Sequence, residues 1–137
     1  MARWICPLCE REFDRARQGH TCLPGNTVAE TFAGGREWQR PICDAVIEYV
    51  ETLGPLHVDA VGVGVFLKHQ RKFAELRPMA RALSVYLVLP RTVSHDRIVR
   101  RPWGSADRLW HSVRLTAVAE VDDQLRDWLA EAYLSAA

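Results

Sequence analysis

Three cysteines and a histidine fall within the first 22 residues, spaced Cys6-x2-Cys9-x10-His20-x-Cys22. They supply four soft or borderline ligands, the number that tetrahedral zinc takes, on a stretch too short to bury a core of its own. The chain is therefore expected to begin with a metal-pinned knuckle. Four protein ligands leave no open coordination position, so the Zn(2+) is expected to be structural rather than catalytic. Pro7 presets the turn between Cys6 and Cys9. His20 and Cys22, two apart, would point to nearly opposite sides of a helix, so that half of the site is expected to be non-helical. The thiolates leave surplus negative charge around a divalent ion, and Arg3, Arg11, Arg15 and Arg17 lie in the same window to offset it. Glu10 stands where such knuckles commonly place glycine. The turn either avoids positive φ there or bears about 1 kcal/mol of strain.

Disulfides are the competing use of these cysteines. Met1-Ala2-Arg3-Trp4-Ile5 runs into the first ligand without an apolar targeting segment, and no stretch is apolar and long enough to span a bilayer. The expectation is a cytoplasmic protein with no membrane association, where reduced thiols are the default. Cys43 stands apart from the four ligands, beside Ile42 in a helical pattern, and reads as a buried, inert thiol.

With 137 residues, the chain has room for a short metal-bound head and one ordinary domain. The expected division is a zinc knuckle over 1–24, a connector with one helical turn over 25–38, and an α+β domain over 39–137. The net charge of +1 gives no global bias toward polyanions, but its distribution is uneven. Residues 71–115 hold ten Lys/Arg against Glu75, Asp96 and Asp107, whereas 116–137 hold five acidic residues against Arg126. That makes a basic middle and an acidic tail.

Thr27-Val28-Ala29-Glu30 fits a capping box, so one helical turn is expected to Phe32, ended by Gly34-Gly35. Phe32 and Trp38 are expected to dock the head onto the domain, the alternative being that they face a ligand. From about Gln39 to Leu53, Ile42, Val46, Tyr49, Val50 and Leu53 recur at helical spacing, and Gly54-Pro55 stops the helix. Val58 to Leu67 alternates as one strand, with Val61, Val63, Val65 and Leu67 on one face and Gly62 and Gly64 on the other, where they either give close approach to another backbone, the favoured reading, or floor a cleft. Strands are expected at 72–76, 82–89 and 109–117, the second of them central. A loop containing His95, Arg97, Arg100, Arg101 and Trp103 separates the last two. A closing helix from about Asp122 to Leu134 presents Val121, Leu125, Trp128, Leu129, Ala132 and Tyr133 as its apolar stripe. Short connections imply antiparallel pairing. The fold class is α+β: an N-terminal zinc knuckle, then a small antiparallel sheet with two main helices packed on one face.

Several segments together resemble an uncharacterised bacterial family, classed as a domain of unknown function. They are Trp4-Ile5-Cys6-Pro7-Leu8-Cys9 with His20-Thr21-Cys22, Phe32-Ala33-Gly34, Leu53-Gly54-Pro55, Lys72-Phe73-Ala74, His111-Ser112-Val113-Arg114-Leu115, and Asp123-Gln124-Leu125 followed by Trp128-Leu129 and Ala132-Tyr133. The family joins a CPxC…HxC zinc head to a small α+β domain and is loosely similar to YdhG-like and YjbR-like proteins. The resemblance implies a curved antiparallel sheet with one open face, and implies no reaction.

The function expected from these readings is a zinc-binding, non-enzymatic module that receives a protein or a small anionic ligand. Its candidate ligand-facing residues are Lys68, His69, Arg71, Arg91, His95, Arg100, Arg101, Trp103 and His111. The alternative is nucleic-acid binding through the zinc head and the basic segment 71–115. Against that alternative, Glu10, Glu12 and Asp14 nearly cancel the arginines of the head. An enzyme using His95 and His111 as acid and base is the third reading. No nucleophile motif, phosphate-binding Gly loop or paired carboxylates in the basic region accompany that pair.

Overall fold

The computed structural model describes residues 27–137, and the backbone alone of Trp4–Ile5 and Glu12–Phe13. Those two pairs are short antiparallel strands, β1 and β2, with Ile5 opposite Glu12 and Trp4 opposite Phe13. Cys6, Cys9, His20 and Cys22 lie outside the described residues.

The Thr27 hydroxyl accepts the Glu30 N–H and the Glu30 carboxylate accepts the Thr27 N–H, both at 3.1 Å. This reciprocal cap starts α1 (Val28–Phe32), whose Phe32 is buried in the core. Trp38 remains exposed and begins α2 (Gln39–Glu51) without a side-chain cap. The face of α2 formed by Ile42, Cys43, Val46 and Val50 is wholly buried.

Six strands follow: β3 (His57–Val61), β4 (Gly64–Lys68), β5 (Lys72–Pro78), β6 (Leu83–Leu89), β7 (Trp103–Ser105) and β8 (Arg108–Leu115). They form one antiparallel sheet in the order β3-β4-β5-β6-β8-β7. Asp122 caps α3 (Asp123–Ser135) by accepting the Leu125 N–H at 3.1 Å. From α3, Leu125, Trp128, Leu129, Ala132 and Tyr133 pack with the buried face of α2 against Leu83, Val85, Leu87, Val113 and Leu115. The fold is α+β, and the core lies between one sheet face and the helices. Among the described residues no helix is long and apolar enough to cross a membrane.

Three features differ from the sequence reading. The segment 58–67 is two strands, because Val61 pairs with Gly64 across a two-residue turn at Gly62-Val63. Reversing the chain there sends Val61 to the face opposite Val65 and Leu67, and leaves Val63 61% exposed at the turn. The close-approach reading holds for Gly64 alone, where an added Cβ would sit 2.6 Å from the Leu76 carbonyl oxygen; nothing lies within 4 Å at Gly62.

Second, the register of β4 against β5 shifts between Leu67 and Lys68, so that Phe73 is the extra residue. Phe73 turns into the core, edge-on to Tyr133 with ring centroids 5.6 Å apart, and Lys72 turns out.

Third, the loop before β8 is itself sheet at its end. Ile98 bridges Val113 and the Val99 N–H donates to the Ser112 carbonyl, after which Trp103–Ser105 pairs with Arg108–Trp110. Between these contacts Arg100-Arg101-Pro102 leaves the ladder, where Pro102 has no N–H to give. Gly104 holds φ at +128°, and a side chain there would run into the Arg108 carbonyl oxygen.

Candidate functional site

The sheet face opposite the core gathers charges and aromatic rings by strand register. Phe66, Glu75, Tyr86 and Ser112 are successive cross-strand partners on β4, β5, β6 and β8. In the neighbouring row Val88 faces Trp110, which faces Trp103. The β5 bulge adds Lys72 to this set. Among the described residues no helix lies over it.

Glu75 sits at the centre. Its two oxygens accept from Lys72 Nζ at 2.6 Å and from Arg77 Nε at 2.9 Å. Each cation also lies over rings: Lys72 Nζ is 4.5 Å from the Phe66 centroid and 5.5 Å from that of Trp110, and the Arg77 guanidinium is 5.8 Å from Tyr86. Arg100, swung out by the break before Pro102, lies 4.3 Å over Trp103. It has no carboxylate partner among the described residues. Tyr86 meets Trp103 nearly edge-on, at 6.1 Å and 75°. Glu75, Arg77, Tyr86, Arg100, Trp103 and Trp110 together line a cavity of ≈310 Å³. At its edge Arg108 donates to the Lys72 carbonyl at 2.8 Å, and its guanidinium is held below its ordinary pKa by burial first and by nearby Arg71 second.

The candidates named from sequence do not converge. Only Arg100 and Trp103 line this cavity. Lys68 is engaged with Asp59 at 3.3 Å. His69 stacks on Tyr133 with centroids 4.0 Å apart and meets its carbonyl through Nδ1 at 3.1 Å. The Arg71 N–H donates to the Ala136 carbonyl, and its side chain is exposed beside Arg108. Arg91 forms a two-pronged pair with Glu131, both bonds 2.9 Å. His95 lies edge-on to Trp128 at 5.1 Å, and its Nδ1 accepts the Arg97 N–H. Arg101 is exposed.

His111 is fully buried on the core side, so it cannot serve the open face. Its Nε2 accepts the Val93 N–H at 3.0 Å and its Nδ1 donates to the Leu109 carbonyl at 2.9 Å. Both nitrogens are committed to backbone, which removes His111 as an acid or base paired with His95. Cys43 is buried, and burial first, then Asp44, pushes its thiol up to about 12, as expected for an inert core residue.

Sequence spacing does not single out Lys72, Glu75, Arg77, Tyr86 and Trp110. The sequence holds a trace of them in the polar positions of otherwise apolar strands, but their meeting depends on a register and a bulge that spacing does not reveal.

A second cavity of ≈490 Å³ lies where the α1–α2 connection meets the turn after β5. Its two buried polar side chains are engaged within the fold: the Thr31 hydroxyl donates to the Val61 carbonyl at 2.7 Å, and Gln39 donates through Nε2 to the Met79 and Ala82 carbonyls while its Oε1 accepts the Arg36 N–H. Arg36 is its one charged lining residue, and no aromatic ring lines it. The smaller cavity has the richer chemistry. Among the described residues no group of three or more His, Cys, Asp or Glu is placed to hold a metal ion.

A family model described as "Domain of unknown function (DUF5655)" matches residues 28–136. No curated protein and no solved structure matches the chain. The match spans α1 through α3 and begins after the cysteine-rich head, so the chain belongs to the DUF5655 family of α+β domains.

Proposed function

We propose that this chain is a non-enzymatic binding module whose sheet face receives a small anionic ligand and whose amino-terminal head is held by structural zinc. One observation carries the ligand reading. Arg100 lines the ≈310 Å³ cavity with its guanidinium 4.3 Å over the Trp103 ring, and unlike Lys72 and Arg77 it has no carboxylate partner among the described residues. A guanidinium stacked on a ring keeps its N–H edge for a carboxylate or phosphate, with its orientation already set. The Glu75 charge is offset by two cations, so the floor of the cavity does not repel an anion.

For the head, the donor set Cys6, Cys9, His20 and Cys22 suits tetrahedral zinc. The pairing of Ile5 with Glu12 supports this reading, since it returns the chain on either side of Cys6 and Cys9. Zinc there supplies folding free energy to a segment with too little apolar surface to hold itself.

Titrating the full chain with inorganic phosphate, followed by the tryptophan indole N–H resonances in NMR, tests the ligand reading. Saturable shifts are expected, absent in Arg100→Gln and retained in Arg114→Gln, an exposed arginine outside the cavity. Absence of any saturable shift, or identical titration of the Arg100 variant and the unaltered chain, overturns it.

A further inference from the structure

We infer that the ligand of this face is a planar heteroaromatic ring bearing a phosphate or carboxylate, about one nucleotide unit in size. The inference rests on the anion-binding reading above and adds the ring to it. A bare anion needs donors alone, yet three of the six cavity-lining residues are Tyr86, Trp103 and Trp110. Trp103 and Trp110 are direct cross-strand partners, so two indoles stand side by side on adjacent strands. Tyr86 crosses Trp103 at 75°, and two ring planes near a right angle form a corner. A flat group fits such a corner face-on to one wall and edge-on to the other, the arrangements that aromatic quadrupoles favour. The Arg100 guanidinium is a further flat plate, able to stack on a base while its edge holds an anion.

Size sets the other bound. Ligand cavities run from about 300 to 1,000 Å³, so ≈310 Å³ suits one ring with its anionic group and excludes a long chain. Charge agrees with this. Lys72, Arg77 and Arg100 against Glu75 leave the face positive, in keeping with a ligand of low negative charge. The same ring-plus-phosphate unit occurs as a free mononucleotide and as an exposed nucleotide of a single strand.

The test measures binding of inorganic phosphate, adenosine, adenosine monophosphate and a ten-residue oligoadenylate to the full chain, by calorimetry and tryptophan emission. Adenosine monophosphate is expected to bind at least about tenfold more tightly than phosphate or adenosine alone and to quench emission, the ratio that one stacked base contributes. Trp103→Leu, which also removes the ring beneath Arg100, is expected to weaken adenosine monophosphate at least about tenfold more than it weakens phosphate. Tyr86→Leu, on a different strand, should act in the same direction and guards against local unfolding of the short β7.

If adenosine monophosphate binds no more tightly than phosphate, or if both variants keep full affinity for it, the ring is wrong and the anion reading stands. If adenosine matches the monophosphate, the anion reading fails and takes the inference with it. Failure of every probe to bind overturns both. Oligoadenylate exceeding the monophosphate more than about tenfold per nucleotide assigns the unit to single-stranded nucleic acid; equal affinity assigns it to the free nucleotide.

Discussion

The imidazole of His111 accepts the Val93 N–H at Nε2, 3.0 Å away, in the wholly buried layer between the sheet and the helices. Protonating Nε2 would break that bond and bury a charge, and burial indeed holds this imidazole below its ordinary value of 6.5. The Leu109 carbonyl opposes that shift, as does Glu131, while Arg91 adds to it.

The sign follows directly. Below pH 6.5 the unfolded chain takes a proton on this residue that the folded chain resists, so stability falls as pH drops through that value. Glu120 and Asp122 act in a lower window. Backbone N–H groups of Thr116 and Leu125 are the first cause holding them below 4.5 and 3.8, so their contributions persist above those values and are lost beneath them. His111→Gln should lower stability at pH 7.5 by about 1–3 kcal/mol and flatten the decline between pH 7 and 5. Urea midpoints at three pH values read both effects, and an unchanged slope in the variant contradicts the assignment.

Gly64 and Gly62 flank one residue, yet their substitution should differ sharply. A Cβ at Gly64 would stand 2.6 Å from the Leu76 carbonyl oxygen, which is backbone fixed within the sheet, whereas none of the neighbours of Gly62 lies within 4 Å. Gly64→Ala is expected to cost about 1–3 kcal/mol and Gly62→Ala to stay within about 0.5 kcal/mol. Thermal unfolding of the two variants checks this. Equal losses would mean that β4 and β5 do not approach as closely as described.

Thiol titration should separate Cys43 from the other three cysteines of the chain. With its thiol buried and raised to about 12, Cys43 should be silent toward an aromatic disulfide reagent at pH 8 until the chain unfolds. Cys6, Cys9 and Cys22 should be protected in the metal-loaded protein and react after a zinc chelator is added, with one equivalent of zinc released. Three thiols reactive before chelation, or none afterwards, would contradict a zinc-held head.

The residues of the candidate site show how far spacing can reach. Arg100 and Trp103 stood out because charge and aromaticity cluster in one polar stretch. Their partners did not, since Lys72, Arg77, Tyr86 and Trp110 look individually like ordinary outward-facing strand residues. Conversely Arg91, His95 and His111 belong to the same basic stretch, and the fold directs each to a different partner. Composition records which charges are near in sequence, and cross-strand pairing decides which are near in space.

Amphipathic helices are local devices, which is why α2 and α3 were readable from the chain. Ile42, Val46 and Val50, or Leu125, Leu129 and Ala132, repeat at 3.6-residue spacing whatever they pack against, and Thr27 and Asp122 mark helix starts through bonds made within three residues. The antiparallel class followed from short connections. Tertiary structure alone decided the turn at Gly62-Val63, the Phe73 bulge and the detour at Arg100-Arg101-Pro102. A run of alternating valines and glycines does not mark where the chain reverses and its facing flips, and register is an agreement between strands rather than a property of either. The bulge and the detour bring Lys72 and Arg100 onto the same sheet face, so which charges and rings meet there was a question for the folded sheet.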